Sequence, residues 1–210
     1  MRKGRLFAAA ALSACMCSAQ AQVAYSSFEP GYGYDENTGY FITGASAPPK
    51  FIQTIAVGFE SLASGPVDTI SVAVGFLNLG KGRDLRLTLY DDDGTFQGFG
   101  AQLGAWEFEN PANNSFGEVV HLQNVDPVSV TEGSYYWMYM EPLQDDGFHT
   151  WMYGDINILA PMLISHDGGK TFSYSSVNNA PALEVTVVPE PAMIGLVALG
   201  VALLSARRRR

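Results

Sequence analysis

Between Gln22 and Val187 no segment keeps a helical hydrophobic period over a useful length. The apolar residues come instead in short runs rich in Val, Ile, Phe, Tyr and Thr, at 51–59, 69–77, 85–90, 103–108, 118–122, 135–140, 149–153, 162–165 and 183–187. Turn-forming clusters part them: Ser64-Gly65-Pro66, residues 78–82, Asp91 to Gly94, Asn113 to Gly117 and Asp145-Asp146-Gly147. Strand-length runs at this spacing predict an all-β fold, an antiparallel sandwich or barrel, of which a single jelly-roll-like β-sandwich domain is the expected form. The alternation is clearest in Leu85-Arg86-Leu87-Thr88-Leu89, where the leucines share one face of a strand. Residues 135–140 (YYWMYM) are apolar on both faces, which suits a central strand or one covered by a loop. No repeat of fixed period is visible.

The ends are of another kind. Arg2, Lys3 and Arg5 precede an uncharged run over 6–16, and Ala19-Gln20-Ala21 forms an A-x-A site. This is the plan of a secretory signal peptide over residues 1–21, with signal peptidase cutting between Ala21 and Gln22. Leu12-Ser13-Ala14-Cys15 offers an alternative, because it resembles the lipobox of bacterial lipoproteins. Cys15 and Cys17 are the only cysteines, so a cut after Ala21 leaves a domain without disulfides, resting on its core alone.

Residues 192–206 (AMIGLVALGVALLSA) carry no charge, and Arg207, Arg208, Arg209 and Arg210 follow. As a helix this run spans about 22 Å, short of a ~30 Å hydrocarbon core unless the bilayer thins and the arginines snorkel. The arginines are expected in the cytoplasm, which puts the domain outside the inner membrane. Val188-Pro189-Glu190-Pro191 stands flush against the run, and its prolines hold it extended. An extended tetrapeptide, a short apolar helix and an arginine cluster together resemble the PEP-CTERM sorting signal of Gram-negative bacteria. That resemblance implies an exosortase in the inner membrane as the partner that recognises the tail. It further implies an inner-membrane intermediate and a final place on the cell surface or in the extracellular matrix. The expected organisation is a signal peptide at 1–21, a β-sandwich at 22–187 and the sorting signal at 188–210.

Of the 12 Lys and Arg, three lie in the first five residues and four are the last four, so five face all 21 Asp and Glu between Gln22 and Pro191, a net of −16. Such a domain repels nucleic acid and anionic lipid, which excludes nucleic acid as a partner. The segment from Phe28 to Tyr34, then Thr38-Gly39-Tyr40, Ile55 to Phe59, Tyr135-Tyr136-Trp137 and Pro181 to Val185 resemble the choice-of-anchor domains of bacterial surfaces. That resemblance implies a β-sandwich and no particular activity.

Motifs for chemistry are few. Ser165, Asp167, Gly169, Thr171 and Phe172 fit S-x-D-x-G-x-T-[WF], which resembles the Asp-box of sialidases and related propellers. A single copy, with only Arg83 and Arg86 as arginines in the middle, reads as a stabilised hairpin. Asp91, Asp92 and Asp93 before Gly94 offer oxygens to Ca²⁺ but lack the spacing of an EF-hand loop, and otherwise make a solvated turn after Tyr90. His121, His149 and His166 have no zinc-site spacing, and there is no G-x-S-x-G elbow or phosphate-binding glycine loop. Trp106, Trp137 and Trp151 suit a core or a sugar-stacking face. The reading is a non-enzymatic exported protein without a cofactor; the alternative is a carbohydrate-binding module associating with exopolysaccharide.

Overall fold

The alternation at Leu85-Arg86-Leu87-Thr88-Leu89 becomes burial in the computed structural model, which describes residues 20–189 apart from 49, 78–80, 96, 124–127 and 155–157. Leu85, Leu87 and Leu89 are fully buried. Arg86 lies on the other face and pairs across the ladder with Glu107 at 2.6 Å and Glu141 at 3.3 Å.

The described residues contain no helix. Their strands are β1 (Gln22–Ser26), β2 (Tyr34–Thr43), β3 (Thr54–Glu60), β4 (Gly65–Phe76), β5 (Asp84–Asp92), β6 (Phe99–Glu109) and β7 (Glu118–Gln123). There follow β8 (Ser129–Val130), β9 (Tyr135–Pro142), β10 (Phe148–Gly154), β11 (Ala160–Ser165), β12 (Ser173–Val177) and β13 (Leu183–Val187). They form two antiparallel sheets, one in the order β1-β13-β4-β10-β2 with β7 and β8 also on β4, the other β12-β11-β3-β9-β5-β6. Side chains from both sheets meet in one core, among them Ile42, Ile70, Val72, Leu183 and Val185 from the first and Ile55, Val57, Leu87, Met138 and Met140 from the second. This is the arrangement of a β-sandwich. Each such side chain contributes about 1.5–3 kcal/mol by leaving water.

β9 is both central and covered. It lies between β3 and β5. Tyr136, Met138 and Met140 enter the inter-sheet core. Trp137 and Tyr139 point outward into a second cluster with Ala56 and Leu163, closed by Phe99 and Phe172.

Two expected turns are strand. Gly65 and Pro66 open β4 and pair with Val130 and Ser129 of β8, at a strand start where the missing proline N–H is tolerated. Asp91 and Asp92 finish β5, pairing with Tyr136 of β9 and Phe99 of β6. The neighbouring ladders supply hydrogen bonds that local turn propensity cannot outweigh. The chain also makes strands at β1, β2, β8 and β12, beyond the apolar runs.

Candidate functional site

The polar clusters close on themselves. The turn between β11 and β12 is built around Asp167. Its Oδ1 accepts from Ser165 Oγ at 2.8 Å, Lys170 N at 3.1 Å and Thr171 N at 2.9 Å, and its Oδ2 accepts from Thr171 Oγ1 at 2.7 Å. These bonds, that of the Thr171 hydroxyl foremost, hold its carboxyl well below the usual carboxylate range. Gly168 and Gly169 take φ of +73° and +82°, which side-chain-bearing residues avoid. Phe172 then packs at 4.9 Å from Phe99 and 5.9 Å from Tyr139. With both oxygens engaged locally, the turn acts as a lid on the outer aromatic cluster.

The three aspartates after Tyr90 part company. Asp92 Oδ1 accepts from Trp137 Nε1 at 3.1 Å, and its Oδ2 caps Gly94 N at 2.9 Å. Asp93 Oδ1 accepts from Thr95 N at 2.8 Å. Asp91 Oδ1 accepts from Asp92 N at 3.1 Å. At the other acidic turn Asp146 Oδ1 accepts from Gly82 N at 3.2 Å. Among the described residues no group of three or more His, Cys, Asp or Glu is placed to hold a metal ion.

The histidines lie apart. His149 is fully buried in β10, with Nδ1 3.0 Å from Asn110 Nδ2. Burial, aided by the nearby Arg83 charge, pushes its pKa down to about 4. His121 on β7 meets Ser71 Oγ at 2.9 Å, and His166 is exposed. Trp137 and Trp151 are fully buried, and Trp106 packs against the core.

The end of the sheet where the chain enters and leaves is more informative. β1 and β13 are antiparallel neighbours, and Gln22 pairs with Val187. β13 is also paired to β4, from Leu183 with Val72 to Val187 with Val67. The contact runs past the strand: Val188 N donates to the Pro66 carbonyl at 2.9 Å. A Cβ on Gly65 would collide with the Val188 carbonyl oxygen, so the close approach requires a glycine there. The segment 61–64 and the turn 131–134 flank this contact, joined by Ser61 N to Ser134 O at 3.0 Å and Glu132 N to Ser64 Oγ at 2.8 Å.

Of the tail, Val188 and Pro189 are half-buried on the domain. Glu190, Pro191, the apolar run at 192–206 and Arg207, Arg208, Arg209 and Arg210 lie outside the described residues, as do Ala19 and the rest of the signal segment before Gln20. Ala21 is exposed ahead of β1. Gly65 and Pro66 were readable from sequence only as a turn; nothing local announces that they receive the tail.

Fold and site thus define an all-β domain whose last strand runs without a linker into its C-terminal tail. The family model of the PEP-CTERM protein-sorting motif matches that tail over residues 187–210. The motif supports exosortase-dependent sorting of an exported protein that passes the membrane and ends on the cell surface. No curated protein matches the chain.

Proposed function

We propose that this chain is a non-enzymatic surface or extracellular-matrix protein, an acidic β-sandwich of the choice-of-anchor kind delivered by its sorting tail. Signal peptidase removes residues 1–21. The run at 192–206 then halts in the inner membrane as a helix, with Arg207, Arg208, Arg209 and Arg210 in the cytoplasm. An exosortase reads Val188, Pro189, Glu190 and Pro191 and passes the domain outward. The observation that carries this reading is the sorting-motif match at 187–210. Replacing Pro189, Glu190 and Pro191 with alanine is expected to leave the protein in the inner membrane at precursor size, seen by fractionation and immunoblotting. Arrival of that variant at the surface at normal size would refute the reading.

One observation favours a second role, contact with exopolysaccharide. Asn37, Thr38, Ser115 and Thr150 line a surface cleft of about 250 Å³ beside the exposed Phe41. Amide and hydroxyl groups next to an aromatic ring suit a neutral sugar. A glycan array on the exported domain tests this, and silence across neutral polysaccharides removes it.

A further inference from the structure

The two processed ends leave the domain side by side. Gln22 and Val187 are partners in the β1–β13 ladder, where opposed Cα atoms lie about 4.5–5.5 Å apart. The strands are antiparallel, so the chain before Gln22 and the chain after Val187 emerge at one pole. Their surroundings differ. Ala21, Gln22 and Val23 are exposed. Val187, the first residue of the matched motif, is fully buried, and Val188 and Pro189 are half-buried against Gly65 and Pro66.

Reading an extended peptide means satisfying its backbone N–H and C=O groups and seating its side chains. Here the Val188 N–H is already given to Pro66 O at 2.9 Å. Space is short as well. Ala192, where the apolar run begins, stands three positions beyond Pro189, a reach of at most about 11 Å even for a fully extended chain. A membrane-embedded enzyme therefore meets the motif with the folded domain lying on it.

We propose that the folded domain restrains its own processing: the motif is read only once Val188 and Pro189 have come off Gly65 and Pro66. The pole made by 61–66 and 131–134 is then the surface that faces the inner membrane and the sorting enzyme. The inference rests on the sorting reading above. The exposed Ala21–Gln22 junction carries no such restraint, so signal peptidase can cut with β1 already in place.

The test is pulse-chase labelling of the full chain in cells that contain the exosortase, following conversion of precursor to processed protein. Inserting Gly-Ser-Gly-Ser between Val187 and Val188 leaves the β13 ladder intact and frees the motif. Conversion should quicken about two- to tenfold, the equilibrium weight of one backbone hydrogen bond. Gly65→Ala, whose new Cβ expels Val188, should act in the same direction. Gly31→Ala, in the turn at the far end of β1, is the control: its φ is also positive, at +87°, but nothing lies within 4 Å of the added Cβ, and it should convert at the normal rate. An insertion variant that converts at or below the normal rate overturns the proposal, whatever Gly65→Ala does to folding. If conversion of the insertion variant is unchanged while replacing Pro189, Glu190 and Pro191 with alanine still blocks sorting, only this inference falls. If that alanine variant is processed normally, the sorting reading falls with it.

Discussion

β1 and β13 carry the two ends of the domain and pair with each other, yet they occupy the sheet differently. β1 (QVAYS) has its only ladder among the described residues with β13, a ladder that slips between Val23 and Tyr25, and takes one further backbone bond, from Leu62 N to Ala24 O at 2.7 Å. Its first two residues are exposed. β13 (LEVTV) lies between β1 and β4, and Leu183, Val185 and Val187 are all fully buried. One strand closes the sheet and the other builds it. The end joined to the closing strand is left open, while the end joined to the building strand is held.

The contrast can be broken most directly at Leu183. Leu183→Ala is expected to cost about 2–5 kcal/mol in urea unfolding of the exported domain, through lost burial and the cavity left behind. A loss under 1 kcal/mol would place β13 on a par with an edge strand.

Acid probes β10, another strand that pairs with β4, over 74–76 beside β13 at 67–72. His149 Nε2 has no hydrogen-bond partner among the described residues, and the pKa is depressed from 6.5 to about 4. Below pH 6.5 the unfolded chain takes up the proton and the folded one does not. Stability should therefore fall as pH drops from 6.5 to 4, by up to about 3 kcal/mol, and level off below. The difference in urea midpoint between the wild type and His149→Gln across that window isolates the group; parallel profiles would show that His149 is not the source.

Ser27 sharpens the comparison at the seam. Just past β1, its Oγ accepts from Leu183 N at 2.8 Å and donates to Pro181 O at 2.6 Å, all buried. Ser27→Ala orphans the Leu183 N–H and should cost about 1–3 kcal/mol. Valine at the same position, if no more harmful than alanine, would point to slack packing instead.

The smallest effect belongs to the open end. Val23 is 48% exposed, so Val23→Ala should shift stability by no more than about 0.5 kcal/mol in either direction. A larger loss would mean that β1 carries more of the sheet than its position implies.

Strands were legible where the pattern repeats what burial demands. Leu183-Glu184-Val185-Thr186-Val187 alternates, and β13 has those bounds. Tyr135 to Met140 announced two covered faces and has them. β2 was illegible because its first half, Tyr34 to Gly39, is polar or glycine. It is a strand because β10 supplies its ladder, with the register shifting between Met152 and Tyr153. β12 (SYSSV) is likewise held at the sheet edge by β11. At the tail, Val188-Pro189-Glu190-Pro191 with its apolar run and arginines was legible because a sorting signal is read as linear sequence. The clasp on it was not, since Gly65 and Val188 are distant in the chain.

By itself the sequence determined the fold class, the acidic character of the domain and the nature of its tail, because periodicity, charge and linear motifs are properties of neighbouring residues. Only the tertiary structure decided that Asp91 and Asp92 belong to a strand and that the tryptophans are covered. It alone put Gln22 beside Val187 and Val188 on Pro66. Those outcomes depend on which distant strands share a ladder, and ladder energy is gained between segments that no local pattern connects.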